Sequence, residues 1–235
     1  MEPDPNSVPS ERWGGLKTRI VSALVLACVA LACIWLGGVV FICLVLLAVI
    51  ILKKEYDALV STQSLIMRFA GYPYILLPCA CLIWLRGQSI ASEPQLGYWL
   101  VIALVAVIAA TDIGAYFTGK RFGSHKLAPV LSPGKTWEGL CGGIVAAMLT
   151  GMFLSPSVHL QHSWTSTVLV SLCTAVIAQG GDLFESALKR KAGVKDSGAL
   201  LPGHGGLLDR VDGYMFAAPF YALLVHFALQ LQPPV

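Results

Sequence analysis

The chain has 235 residues, of which 56% are hydrophobic and only 12% charged, with a mean hydropathy of +0.73. That charged share is about half of the ~25% found in soluble domains, which argues against a water-soluble fold and for an integral membrane protein. The net charge of +3 says little as a sum, whereas its distribution along the chain is informative.

Residues 1–13 are polar, rich in Pro and Glu, and lack the short apolar core and small-residue cleavage site of a signal peptide. The first apolar segment is therefore expected to stay in the protein, with residues 1–19 as a cytosolic tail. The apolar run 20–52 is 33 residues, roughly 50 Å as a helix and too long for one ~30 Å crossing. Gly37-Gly38 near its middle predicts a hairpin between two spans. Further spans are predicted over 69–85, 97–116, 137–154, 164–184 and 211–231, giving an all-α, polytopic transmembrane bundle of about seven spans. The seven cysteines lie in apolar stretches without zinc-ligand spacing and are read as core or lipid-facing residues.

Charge tests the span count, because short cytosolic loops are enriched in Lys and Arg. With the N-terminus inside and the C-terminus outside, fifteen of the sixteen basic residues become cytosolic, and only Arg86 lies outside. Reading 20–52 as one tilted helix would instead move the three downstream basic clusters to the exterior. The chain thus divides into the tail 1–19, the N-terminal helices 20–111, and a region 112–235 whose loops 117–136 and 185–210 face the cytosol.

Asp112 and Asp182 are expected just short of the cytosolic ends of their spans, and Asp209 and Asp212 open the last span at the same rim. A carboxylate in lipid needs a partner. Each one alone could join a structural ion pair, but four from three helices at one depth favour a site for a hard divalent cation. Asp182, Glu185, Ser186 and Lys189 follow at i, i+3, i+4 and i+7, and so share one helix face. A Glu185 to Lys189 salt bridge is the ordinary expectation there.

From Lys195 to Asp212 the sequence places four glycines and Pro202 between basic and acidic residues. Such a loop lets backbone N–H groups approach a phosphate, and Lys195 and Arg210 add the charge a polyanion requires. In the other loop, Gly134-Lys135-Thr136 has the look of a P-loop end, but Pro129 and the lack of a preceding soluble strand defeat that reading. Ser132 to Thr136 is expected instead to form a turn opening the next helix, with Lys135 and the helix N-terminus attracting an anion. Gly139, Gly142 and Gly143 then suggest close helix packing. His125, His159, His162 and His226 have no partner spacing and are read as surface or core residues.

Ser186-Ala187-Leu188-Lys189-Arg190, Lys195-Asp196 and the run Leu201-Pro202-Gly203-His204-Gly205-Gly206-Leu207-Leu208-Asp209-Arg210-Val211-Asp212 resemble the signature of the phosphatidate cytidylyltransferases, or CDP-diacylglycerol synthases. Ser132-Pro133-Gly134-Lys135-Thr136-Trp137-Glu138-Gly139 and the stretch 112–120 also resemble family segments, so the similarity covers roughly 112–212. The chain departs from the common pattern at Gly134, Ser197 and Gly213. The resemblance implies transfer of a cytidylyl group from CTP to phosphatidate with magnesium, leaving room for a second, monovalent cation. It further implies a homodimer in the plasma (inner) membrane, with no nucleic acid as partner. By the same resemblance Asp182 and Asp209 are metal ligands, and Asp112, Asp196 and Asp212 are additional candidates. Lys135, Lys189, Arg190, Lys195 and Arg210 would neutralise phosphate charge. Ser132, Thr136, Ser186, His204, Gly205 and Gly206 would contact substrate. Two other readings are weighed: a related enzyme acting on another lipid phosphate, and an ion pathway. The second predicts acids spread across bilayer depth, whereas Glu93 is the only exterior acid on this topology.

Overall fold

A computed structural model describes residues 10–230 except 62, 92, 159–163, 199 and 201–204, and gives the backbone alone at 10–20 and 156–157. Seven helices are described: α1 (Ser10–Leu36), α2 (Gly38–Leu59), α3 (Leu65–Arg86), α4 (Leu96–Phe122), α5 (Trp137–Val158), α6 (Trp164–Lys191) and α7 (Leu208–Gln230). Five of them, α3 to α7, are long and apolar enough to cross a membrane. In α2 the apolar run stops at Lys53, Lys54 and Glu55, and in α1 the apolar part is confined to Val21–Leu36.

The expected break falls between α1 and α2, where Gly37 and Gly38 both take positive φ, 64° and 50°, which glycine adopts without a Cβ clash. Arg86, at the end of α3, closes this turn. Its Nε donates to the Ile34 carbonyl at 2.7 Å and a terminal nitrogen donates to the Trp35 carbonyl at 3.1 Å, so the last carbonyls of α1 find a partner. The α1–α2 turn and the α3–α4 connection therefore share one end of the bundle. At the other end lie the α2–α3 turn, the α4–α5 connection and the α6–α7 connection.

The all-α expectation needs one correction. Within 117–136 the chain forms a two-stranded antiparallel hairpin, β1 (Lys126–Ala128) and β2 (Ser132–Thr136), with Lys126 opposite Thr136. The segment 132–136 is therefore a strand running straight into α5, not a turn. Helix α4 also continues to Phe122, and α6 to Lys191, beyond the predicted span ends.

The tightest seam joins α4 to α5 through glycines. A Cβ on Gly143 would stand 2.7 Å from the Thr111 carbonyl oxygen, and one on Gly139 would stand 2.9 Å from that of Ala115. Gly114 answers from α4, where a Cβ would come 2.8 Å from the Gly142 carbonyl oxygen. Small residues let the two backbones approach in this way where lipid offers little hydrophobic drive, and the packing expected of Gly139, Gly142 and Gly143 is present. The buried apolar core runs along α2, α3, α4 and α7, through Leu52, Tyr56, Ile75, Leu100, Leu104 and Met215.

Candidate active site

The rim shared by the hairpin, the end of α6 and the start of α7 gathers most of the charged residues singled out in the sequence. Lys135, on β2, points its ammonium at the Oδ2 of Asp182 on α6, 2.6 Å away, and donates to the Oε1 of Gln179 at 2.9 Å. Gln179 in turn donates from Nε2 to the Oδ1 of Asp112 on α4 at 3.1 Å. One lysine thereby joins three elements. Asp112, Lys135, Thr136, Gln179 and Asp182 line a cavity of about 180 Å³ that is walled on the hairpin side by Leu127 and Gly134.

A second set lies further along α6. Lys189 is 3.1 Å from the Oε2 of Glu185, as the i to i+4 spacing predicts, and 2.8 Å from the Oδ1 of Asp209 on α7. Asp209 also accepts the N–H of Ser197 at 2.9 Å and that of Gly206 at 2.8 Å. Ser186, buried, donates to Asp182 at 3.4 Å. Asp182 and Lys189 are seven residues apart on one helix face, about 10 Å along the axis, and this separates the two ion pairs. Asp212 lies within electrostatic reach of both Asp182 and Glu185. Gly181 permits that approach, since a Cβ there would be 2.6 Å from the Asp212 carbonyl oxygen. An aromatic layer of Tyr74, Phe184 and Phe216, with centroids 5.3 to 6.0 Å apart, packs beside these carboxylates.

Several predicted residues stand elsewhere on the rim. Arg190 is exposed and donates from Nε to the Leu131 carbonyl at 3.3 Å, tying α6 to the hairpin tip. Lys195 and Asp196 are exposed beyond α6, Arg210 is exposed in the first turn of α7, and Ser132 is half-buried on β2. Thr136 is buried and accepts the N–H of Gly139 at 3.1 Å, a cap for α5. Gly205 has φ of 80° and sits against Asp209, where a Cβ would come 2.6 Å from Oδ2. His204, with Leu201, Pro202 and Gly203, and likewise His159 and His162, lies outside the described residues. In the described part of this loop, the N–H groups of Ser197, Gly206, Leu207 and Leu208 are taken by carboxylates.

Three features were not foreseen. Gln179 and Glu55, absent from the candidate residues, each bridge separate elements. His125, read as a surface or core residue, is exposed and is also held by Glu138: its backbone N–H donates to Oε1 at 3.1 Å and its Nδ1 lies 2.8 Å from the same oxygen. The His125 carbonyl accepts the N–H of Trp137 at 3.0 Å, so the hairpin is locked to the first turn of α5.

Among the described residues, no group of three or more His, Cys, Asp or Glu is arranged to enclose a metal ion. The donor chemistry nevertheless suits a hard cation. Two lysines, Lys135 and Lys189, contact three carboxylates, those of Asp182, Glu185 and Asp209, and the carboxylates of Asp112 and Asp212 stand beside them. Buried Glu185 keeps one oxygen, Oε1, without a hydrogen-bond partner. An excess of carboxylate oxygens on one rim, with an unsatisfied atom on buried Glu185, is what a divalent cation would offset.

Residues 63–228 match the cytidylyltransferase family. A phosphatidate cytidylyltransferase of Brucella suis biovar 1 is 35% identical, in an alignment covering 94% of this chain and 96% of that protein. The phosphatidate cytidylyltransferase of Haemophilus influenzae is 36% identical over 72% of this chain and 60% of its own length. That of Bacillus subtilis is 47% identical over 60% of this chain and 52% of its own. With the rim geometry, the family match and this near full-length similarity in agreement, the chain belongs to the cytidylyltransferase family.

Proposed function

We propose that this chain is a phosphatidate cytidylyltransferase, transferring the cytidylyl group of CTP to phosphatidate to give CDP-diacylglycerol and pyrophosphate. The observation that supports this best is the pair of lysine–carboxylate contacts, Lys135 to Asp182 and Lys189 to Asp209, on one rim of an apolar helical bundle. A lipid phosphate lies at such a rim and a nucleotide reaches it from water. Both substrates can meet there and in few other places.

In this reading an ionised phosphate oxygen of phosphatidate attacks the α-phosphorus of CTP in line. The new P–O bond forms as the bond from the α-phosphorus to the α,β-bridging oxygen breaks, and its electron pair leaves with pyrophosphate. The nucleophile needs no deprotonation, so no general base is required. Lys135 and Lys189 turn from their carboxylates to phosphate oxygens, and Arg190, Lys195 and Arg210 add positive charge around them. Ser132, Thr136, Ser186, Gly205 and Gly206 border the path of the substrates. Asp182 and Asp209, each at its own ion pair on the rim, would offer carboxylates to magnesium, with Asp112, Asp196 and Asp212 as further candidates, and the ion when bound would neutralise phosphate charge.

The same reading takes all seven helices as spans in the plasma (inner) membrane. The N-terminus and active site then face the cytosol and the C-terminus lies outside. The basic residues Lys120, Arg121, Lys126, Lys135, Lys189, Arg190 and Lys191 on the site's rim support that orientation. The family resemblance adds a homodimer. The test of the activity is direct: purified protein with labelled CTP, phosphatidate and magnesium should move label into the lipid phase on extraction. Label remaining wholly aqueous would remove the reading.

A further inference from the structure

Glu55 closes the apolar run of α2 and stands outside the family match, which begins at residue 63. Yet its carboxylate lies against the start of α7, with the residue only 7% exposed. Oε1 accepts the N–H of Leu207 at 2.9 Å, and Oε2 accepts the N–H of Leu208 at 2.8 Å and the hydroxyl of Ser197 at 3.4 Å. Two glycines make room for it. A Cβ on Gly198 would come 2.9 Å from Oε1, and one on Gly206 would come 2.7 Å from Oε2.

The first N–H groups of a helix have no partner within it, and they present a partial positive charge. A carboxylate fixed there caps the helix and balances that charge. Here the cap comes from a different helix, far back in the chain. The groups that Glu55 holds are interleaved with those that cradle Asp209. Ser197 gives its N–H to Asp209 and its hydroxyl to Glu55. Gly206 gives its N–H to Asp209, and the next two N–H groups go to Glu55. The two carboxylates thus hold neighbouring N–H groups of one short stretch of backbone. Moving either would shift the other.

We infer that Glu55 is a positioning residue for cytidylyl transfer, anchoring the start of α7 and the loop before it so that Asp209 stands against Lys189. This rests on the activity proposed above. The anchor has a second effect. A helix N-terminus beside a polyphosphate site would otherwise attract phosphate. Glu55 fills this one, so the substrate phosphates are left to the lysines.

The test uses the purified full chain and its variants Glu55→Ala, Glu55→Gln, Gly198→Ala and the double variant Glu55→Ala with Gly198→Ala. Initial rates of label transfer are measured alongside amide hydrogen exchange. Glu55→Ala should lower kcat on the order of 30-fold while KM for CTP changes less than about threefold, because the placement of Asp209 is lost and not a nucleotide contact. Glu55→Gln keeps one carbonyl acceptor and should fall between. Exchange at Leu207 and Leu208 should quicken in both, with α4 and α5 unchanged. Gly198→Ala should impair the wild type and cost less in the Glu55→Ala background, where the atoms it crowds are gone.

A wild-type kcat in Glu55→Ala, or unchanged exchange at Leu207 and Leu208, overturns the inference. If Glu55→Ala does not yield monodisperse protein, Glu55→Gln decides by the same two readings. A wild-type chain that transfers no label would defeat the proposed activity instead, and the exchange data would then decide alone whether Glu55 anchors α7.

Discussion

Lys135 on the hairpin and Asp182 on α6 stand 2.6 Å apart, and this contact joins the two halves of the rim. The lysine side chain is 16% exposed and the aspartate 31%, so the pair is screened from bulk water without being sealed from it. An ion pair in that setting fixes the lysine against α6, yet a polyphosphate can still compete for it.

Replacing Asp182 or Asp209 by Asn keeps the shape of each side chain and removes its charge. Either variant should lose turnover by roughly three orders of magnitude or more at saturating magnesium. Both should still purify as folded membrane protein, as judged by circular dichroism and size exclusion. Near-normal rates in both would refute their assigned roles.

Lys135→Ala should lower kcat/KM for CTP by about 100-fold, the usual scale for losing one charged donor at a reacting phosphate. Lys135→Arg should restore only part of it, since the longer, planar guanidinium cannot place its charge where the compact ammonium stands between Asp182 and Gln179. Equal activity of wild type and Lys135→Ala in the label-transfer assay would remove this residue from the mechanism.

Chelation of divalent cations should abolish label transfer, and added magnesium should restore it, because Asp182 and Asp209 would otherwise remain neutralised by lysines. Undiminished transfer after exhaustive chelation would exclude the proposed ion.

At the α4–α5 seam, Gly143→Ala should destabilise the protein by about 1–3 kcal/mol, because the added methyl meets backbone at Thr111 and has no flexible neighbour to displace. Thermal unfolding in detergent measures it. Gly134→Ala, where a Cβ would meet nothing within 4 Å, serves as the control and should leave the midpoint unchanged.

Glu138→Ala should free the hairpin from α5 and raise its susceptibility to limited proteolysis near residues 124–136, with a smaller loss of activity through Lys135. Unchanged cleavage would show that the strand pairing and the Trp137 to His125 backbone bond hold the hairpin without Glu138.

The helices were legible in the sequence because apolar runs of membrane-spanning length leave little choice of structure, and Gly37-Gly38 marked its own break. Asp182, Lys189 and Asp209 were legible because charge in an apolar context demands a partner, and helical spacing put Asp182 and Lys189 on one face. What escaped were the long-range partners. Glu55 follows two lysines at a helix end, where it passes for an ordinary interfacial charge, and its N–H partners lie about 150 residues further along the sequence. Gln179 is neutral and sits between alanine and glycine, so nothing local announces a bridge. The hairpin was missed because Pro133 and Gly134 within 132–136 signal a turn, and only pairing with Lys126 to Ala128 makes that segment a strand.

The glycine seam makes α4 and α5 act as a single stiff beam that spans the bilayer with the hairpin mounted on its end. A membrane of different thickness would tilt such a beam, and the tilt would bear on the contacts that tie it to α6, Gln179 to Asp112 and Lys135 to Asp182. Host-lipid chain length should therefore tune the rate, making the enzyme a gauge of the bilayer whose lipids it helps to build.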